Sequence, residues 1–152
     1  MSANDYITGV NPATGQEVRV PCEIMSDGLV SIGKNEIKLS TVDAVDLNTA
    51  TNQLLYTVPT GKTCVITRIC QRNASISLTT NSHSIGWTSA AYADVVANAT
   101  HTGLTGPTLA AWLVLIVAGI KMGTAGQPLY LKNNTNQGAA ATASFDVFGI
   151  LV

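Results

Sequence analysis

Charge is nearly absent from the second half of this chain. Residues 73–152 carry four charged side chains, Asp94, Lys121, Lys132 and Asp146, while residues 1–72 carry thirteen. Such a stretch must still present a soluble surface, and Ala, Thr, Ser, Asn and Gly supply it, making up 71 of the 152 residues. Charged residues are 11% of the chain, against about 25% in an ordinary soluble domain. Two readings fit: an exposed, Thr-rich β surface, or a domain built to be packed in an assembly. The second is favoured, because depletion of charge is the compositional mark of interface cores. The formal net charge of −1 leaves no basic field to hold a nucleic acid or an anionic membrane. A composition with 46% hydrophobic residues and so little net charge argues against intrinsic disorder. The length is that of one domain with a short arm to spare.

Three cysteines, Cys22, Cys64 and Cys70, show no CxxC or Cys/His spacing of a zinc site. The opening MSANDYITGVNPATGQ has neither a basic n-region nor an apolar h-region and does not read as a signal peptide. Sequons at Asn73, Asn98 and Asn133 are expected by chance in a chain this rich in Asn and Thr.

The pattern divides the chain into a turn-rich arm over 1–50 and a β domain over 51–152. Gly9, Pro12, Gly15, Pro21, Gly28 and Gly33 punctuate the arm. Between them lie short apolar pieces: Val18–Val20, Ile24-Met25, Leu29–Ile32 and Ile37–Leu39. Asp27-Gly28 and Gly33-Lys34-Asn35 are hairpin turn chemistry, so the arm reads as small hairpins. Residues 41–52, TVDAVDLNTATN, read as a polar linker.

Strands are expected at Gln53–Val58 and Thr63–Asn73, joined by a turn at Pro59–Lys62, then at Ala74–Thr79 and around Ile85 and Trp87. Residues 89–99 fit a short helix capped by Ser89, with Tyr92, Val95, Val96 and Ala99 on one face. Leu109–Ile120, LAAWLVLIVAGI, is the most apolar piece. At twelve residues it falls short of the roughly 20 a membrane span needs. It reads instead as a strand apolar on both faces, Trp112, Val114 and Ile116 against Leu113, Leu115 and Val117, ahead of a buried helix. One of those faces then needs a second protein surface to cover it. Pro128 places Leu129–Lys132 near a sheet edge, Asn133–Gly138 reads as a polar loop tip, and Ala139–Val152 is the last strand. A terminus ending Ile150-Leu151-Val152 is expected to be tied down, in the core or at a subunit contact. Seven or eight strands at about ten-residue spacing make an all-β fold, an antiparallel β-sandwich or jelly roll.

Enzyme signatures are missing: no GxSxG, HExxH, Walker loop or GxGxxG. His83, Asp94 and His101 match no catalytic spacing, and both histidines read as solvated or hydrogen-bonded loop residues. Paired carboxylates for glycoside chemistry are poorly placed, because only Asp94 and Asp146 lie in the β domain. Cys64 and Cys70, six apart, share a face of an unbroken strand as small hydrophobes. Arg68 and Arg72 share that parity and could pair with Asp94, Asp146 or a partner's carboxylate. No catalytic residue, cofactor or metal ligand is assigned.

Three stretches carry a resemblance: LLYTVPTGKTCVITRICQRNASISLTT, ADVVANATHTGLTG and the closing ASFDVFGILV. With their VPxGK turn, RNAS strand end and apolar terminal strand, they resemble small structural proteins of tailed bacteriophages. The arm ATGQEVRVPCEIMSDGLVSIG resembles the leading segments of head decoration, or cement, proteins. The resemblance covers about two thirds of the chain. It implies a non-enzymatic virion protein, a β-sandwich or jelly roll and often a trimer, bound to the major capsid protein on the outer surface of the head. Such a protein is made in the host cytoplasm and bridges capsomers. On this reading Trp112, Val114, Ile116, Phe148 and Ile150 form the subunit interface. Val18, Val20, Ile24, Leu29 and Ile32 contact the capsid, and deleting residues 1–40 abolishes capsid binding but spares the oligomer. Two alternatives remain. One is a trimeric receptor-binding or tail-fibre head domain using Trp87 and Tyr92. The other is a jelly-roll enzyme of the cupin kind, for which the two histidines lack a nearby Glu.

Overall fold

The computed structural model describes residues 6–10, 17–21, 23–24, 30–31, 36–100, 104–117 and 119–152. The chain divides into two compact units, Met1–Asn35 and Glu36–Val152. In the first unit, β1 (Tyr6–Val10) pairs antiparallel with β2 (Glu17–Pro21), and β3 (Glu23–Ile24) pairs with β4 (Val30–Ser31). These are the small hairpins that the sequence suggests. The two arm turns, Asp27-Gly28 and Gly33–Asn35, lie outside the described residues, as does His101.

Among the described residues the second unit is an eight-stranded sandwich. Its strands are β5 (Ile37–Asp46), β6 (Asn52–Thr57), β7 (Cys64–Arg72), β8 (Ser82–Gly86), β9 (Val96–Thr100), β10 (Ala110–Trp112), β11 (Pro128–Thr135) and β12 (Thr142–Leu151). The pairing is a nested hairpin: β5 with β12, β6 with β11, β7 with β10 and β8 with β9, all antiparallel. The ribbon wraps so that β12 also meets β7 and β11 also meets β8. Two sheets result, β10-β7-β12-β5 and β6-β11-β8-β9. This is the jelly-roll solution to pairing eight antiparallel strands in two layers. Between the sheets lie Leu47, Leu55, Ile69, Leu78, Ile85, Leu104, Leu129, Leu131 and Phe145, all fully buried.

Local chemistry explains the strands that formed. Between β6 and β7 the Lys62 amide donates to the Pro59 carbonyl at 3.2 Å, and Gly61 takes the positive φ of 72° that such a turn reserves for glycine. The C-terminus is tied down: Thr63 and Val152 exchange two backbone hydrogen bonds of 3.0 and 2.9 Å. The Val152 side chain itself stays exposed.

Several expectations are corrected. Residues 37–46 are neither arm nor linker; they form β5, whose pairing with β12 puts the break between units at 35/36 rather than 50. Residues 74–79 form a loop: Ala74 and Leu78 do point inward, but side-chain hydrogen bonds from Gln137 replace a partner strand. Residues 89–99 are not helical, because Ala90 and Tyr92 adopt positive φ of 77° and 44°, which breaks any right-handed helix. Val96 opens β9 instead. β11 is interior to its sheet, and Pro128 is tolerated as its first residue. Asn133–Thr135 belongs to that strand, and Asn133 and Gln137 are buried rather than at a polar tip.

The apolar run departs furthest from expectation, since only Ala110–Trp112 of it is strand. The Leu113 amide still donates to the Ile69 carbonyl at 2.9 Å, but the Ile116 amide crosses to the carbonyl of Val95, the residue just before β9 of the other sheet, at 2.9 Å. Spanning the gap between sheets is incompatible with continuing one ladder. The run therefore closes this flank of the sandwich as irregular chain, then returns to Cys64 through two 2.9 Å bonds at Gly123. A Cβ on Gly123 would lie 2.6 Å from the Trp87 ring, so glycine lets the return segment lie on the indole.

Candidate functional site

The outward face of the β10-β7-β12-β5 sheet gathers most of the unit's charge. Asp146 on β12 is its centre. It accepts from Arg72 Nε at 2.7 Å, from Lys38 Nζ at 2.7 Å and from the Thr41 hydroxyl at 2.7 Å. Asp43 adds a longer contact to Arg72 at 3.8 Å. The Arg72 guanidinium, aided by Lys38 and Thr41, holds the Asp146 carboxyl well below the ordinary carboxylate range against the opposing effect of burial. Arg68 pairs with Glu36, and its hydrogen bond lowers the Glu36 carboxyl in the same way. Of the pairings considered for the two arginines, Arg72 takes Asp146, whereas Arg68 takes a residue the sequence placed in the arm.

Arg68 also stacks on aromatics. Its guanidinium carbon lies 4.9 Å from the Trp112 ring centre and 5.1 Å from that of Phe148, and the two rings are 5.8 Å apart. Trp112 and Phe148 are thus brought together across β7. Ile150 sits half-buried further along β12, paired with Val65. Val114 and Ile116 lie on the flank, Val114 turned out and Ile116 half-buried. Of the residues expected to touch the capsid, Val18 and Val20 lie on β2 and Ile24 on β3, while Leu29 and Ile32 fall outside the described residues.

A bulge in β7 decides where the cysteines go. Arg68 pairs with Phe148 but Ile66 with Gly149, so Thr67 is an extra residue and parity reverses across it. Cys64 faces the core, whereas Cys70 faces the Asp146 cluster; the two do not share a face. Burial pushes the Cys64 thiol up to about 11, and Cys70 is raised by burial and by the Asp146 charge. Neither is poised as a nucleophile.

The acid–base candidates serve structure. Asp94 accepts from the Trp87 amide at 2.7 Å and the Thr88 hydroxyl at 2.5 Å, and pairs with Lys121 at 3.1 Å. Burial raises its carboxyl, but these hydrogen bonds outweigh burial and hold it below the ordinary value. A Cβ on Gly86 would lie 2.0 Å from its Oδ1, so this carboxylate sits directly over the strand. His83 is not in a solvated loop; it is fully buried on β8, with Nδ1 2.8 Å from Asn81 Oδ1 and its ring edge-on to Phe145 at 5.6 Å. Trp87 is buried too, which removes the Trp87–Tyr92 surface proposed for sugars. Among the described residues no three His, Cys, Asp or Glu side chains gather in a metal-binding group, and no helix is long and apolar enough to cross a membrane.

A neutral network at the Gln137 end of the sandwich carries no sequence signal. Gln137 Oε1 accepts from the amides of Thr79, Thr80 and Asn81 at 3.1–3.3 Å. Asn81 Nδ2 donates to the carbonyls of Leu47 and Thr135, each at 3.1 Å. Asn133 Nδ2 donates to those of Asp46 and Thr49, each at 2.8 Å. Amides here satisfy the backbone of loops that would otherwise be buried with open donors.

The flank between β9 and β10 is the remaining feature. Trp112 is 56% exposed, Val114 85% and Val117 82%, with Ile120 and Met122 also exposed. A groove of 380 Å³ runs between β9 and the closing segment, lined by Val96, Ala97, Ala99, Trp112, Val114 and Ile116 among others. Neither β9 nor any residue of that groove is charged. On the other side of the segment a 260 Å³ cleft lies against Val65, Val95 and Val117, with the Asp94–Lys121 pair at its edge.

No family model matches the chain, and no curated protein matches it. Among solved structures, it is similar to a chain of the cyanophage Pam1 capsid asymmetric unit, with a TM-score of 0.50 and 14% identity over 93% of this chain and 96% of that one. It is also similar to a chain in the acidic stable capsid structure of Helicobacter pylori bacteriophage KHP30, with a TM-score of 0.47 and 10% identity over 79% and 97%. The resemblance to phage structural proteins in the sequence thus has a counterpart in a fold shared with a phage capsid chain along nearly its whole length.

Proposed function

We propose that this chain is a non-enzymatic structural protein of a phage virion, which decorates the outer surface of the head and stabilises contacts between capsomers. The observation that carries this reading is the exposed apolar flank of the jelly roll, with Trp112, Val114, Val117, Ile120 and Met122 in solvent, on a domain whose Asp94 and Asp146 are each held in structural ion pairs. A cement protein needs area rather than reactive groups, and apolar patches of this kind on soluble proteins mark interaction sites. The capsid setting of the Pam1 chain supports the choice of partner. Each copy need bury only an ordinary interface of about 1,600 Å² in total, because several copies held together multiply avidity. On this reading the jelly roll makes a homo-oligomer, a trimer as the sequence resemblance implies, and the arm hairpins reach the major capsid protein through Val18, Val20, Ile24, Leu29 and Ile32.

The test is co-sedimentation with phage heads that lack the protein. Full-length chain should pellet with the heads and raise their resistance to heat. A truncation lacking residues 1–35, cut before β5 so that the sandwich keeps its edge strand, should stay in the supernatant yet keep the oligomeric mass. If the full chain fails to pellet, the capsid assignment is wrong. If the truncation still pellets, the arm assignment is wrong.

A further inference from the structure

We infer that His83 is an acid-sensitive latch: a second proton on its buried ring releases β9 from the edge of its sheet. The inference stands apart from the capsid reading. His83 is fully buried on β8, and the network around it assigns its hydrogen. Asn81 Nδ2 donates to the carbonyls of Leu47 and Thr135, and to Asn133 Oδ1 at 3.3 Å. Asn81 Oδ1 is therefore the acceptor that faces His83 Nδ1 at 2.8 Å. Nδ1 carries the hydrogen, and Nε2 holds the lone pair that a second proton would take.

A charge on this ring would sit out of water among neutral groups. The cross-strand neighbours of His83 are Asn133 on β11 and Ala99 on β9, and Phe145 of β12 packs against the ring. Neither β9 nor the 79–81 loop has a titratable side chain. On β11, Tyr130 meets Tyr92 and Lys132 meets the Ala90 carbonyl, on the face opposite Asn133. On β12, Asp146 is turned out to Arg72 and Lys38. On β7, Gln71 lies beside Phe145; Arg68, Cys70 and Arg72 face outward, and Cys64 is seven residues away. The sandwich's other carboxylates are held elsewhere: Glu36 by Arg68, Asp43 near Arg72, Asp46 by Asn48 and Thr49, and Asp94 by Lys121. Residues 101–103 and 118, outside the described residues, bring no carboxylate. A charged ring thus gains by reaching water, and β9 is the way out. It is the outermost strand, bonded to β8 alone, and four of its five residues are exposed, so its detachment uncovers little buried surface. Val95, just before it, holds the Ile116 amide, so release of β9 loosens the closing segment too. The opened state takes up the proton near the ordinary histidine value of about 6.5 and the closed state does not. The latch therefore holds above that pH and weakens as pH falls below it.

The experiment follows the full chain by NMR and amide exchange from about pH 7.5 to about pH 5, above the carboxylate range. In the closed protein the His83 ring should keep its Nδ1–H form throughout. Exchange at Val96–Thr100, corrected for its intrinsic pH dependence, should show opening that grows about tenfold per pH unit below about 6.5. His83→Asn keeps a donor for Asn81 Oδ1 and cannot titrate, so its β9 exchange should not respond to acid. His101→Gln should respond as wild type does. A closed-state His83 ring that titrates near its ordinary value overturns the inference. So does acid opening of β9 that persists in His83→Asn or vanishes in His101→Gln. The ring titration is read on wild type, so it decides even if His83→Asn does not fold.

Discussion

Along the β5–β6 flank the two sheets are tied to each other by polar bonds. The Ser40 hydroxyl donates to the Leu55 carbonyl at 2.7 Å, Asp46 and Gln53 bond reciprocally, and Asn133 reaches the Asp46 carbonyl. Along the β9–β10 flank the sheets are bridged by one irregular apolar segment, whose outer side chains meet solvent. The same wrapped hairpin built both flanks, yet among the described residues only one has its polar groups tied across the sheets. A flank whose polar groups are paired internally has no need of a partner. A flank left apolar carries a standing free-energy gain for whatever covers it. The scarcity of charge after residue 72 is therefore not spread evenly in space. Most of the charge the sandwich has is gathered around Asp146 on one sheet face, and the β9 groove has none.

The sharpest test of this contrast is Asp146→Ala. It strands Arg72 and Lys38 on the charged face and should cost about 3 kcal/mol in urea unfolding. In wild type the depressed Asp146 carboxyl stabilises the fold at pH values above the unfolded carboxylate value of about 3.9. As pH falls through that value the unfolded chain takes up a proton the folded one does not, so stability declines until the folded group titrates. Asp146→Asn should flatten that acid decline by about one proton. An unchanged slope would mean the cluster is not what holds this face.

Gln137→Leu should follow at about 2 kcal/mol, since three amides of the 79–81 loop lose their acceptor. Exchange at those amides should speed up while that of β9 stays as it was. Lys121→Met cuts the exposed pair with Asp94 and should cost only about 0.5 kcal/mol. Smallest of all is Val114→Ser, expected to change the stability of the isolated fold by less than about 0.5 kcal/mol. It should nonetheless weaken association, because its side chain contributes nothing until a partner arrives. A loss of more than about 1 kcal/mol in dilute protein would place Val114 in the chain's own core and erase the difference between the flanks.

Much of this was legible in the residues. β-Branched runs and Gly/Pro turns mark β6, β7, β11 and β12. The sequence marks 109–120 as the most apolar piece, and Trp112, Val114 and Val117 of it are exposed, but it does not mark it as the piece that leaves the ladder. Trp112 and Phe148 come together only because β7 lies between β10 and β12, a neighbourhood that no spacing of 36 residues reveals. The Gln137 network was hidden for the same reason: an amide that caps a loop 56 to 58 residues away has no local signature.

The β class, the turn at Pro59–Lys62 and the poverty of charge are properties of the sequence alone, because these follow from short-range sterics and from composition. Tertiary structure decided the rest. The bulge at Thr67 reversed the parity of Cys70, and the nested wrapping made β5 a sheet strand rather than a linker. Wrapping also sent residues 113–117 across the gap between sheets. Which strands lie at the edges depends on which become neighbours, and that is settled only when distant segments pair to satisfy the backbone together.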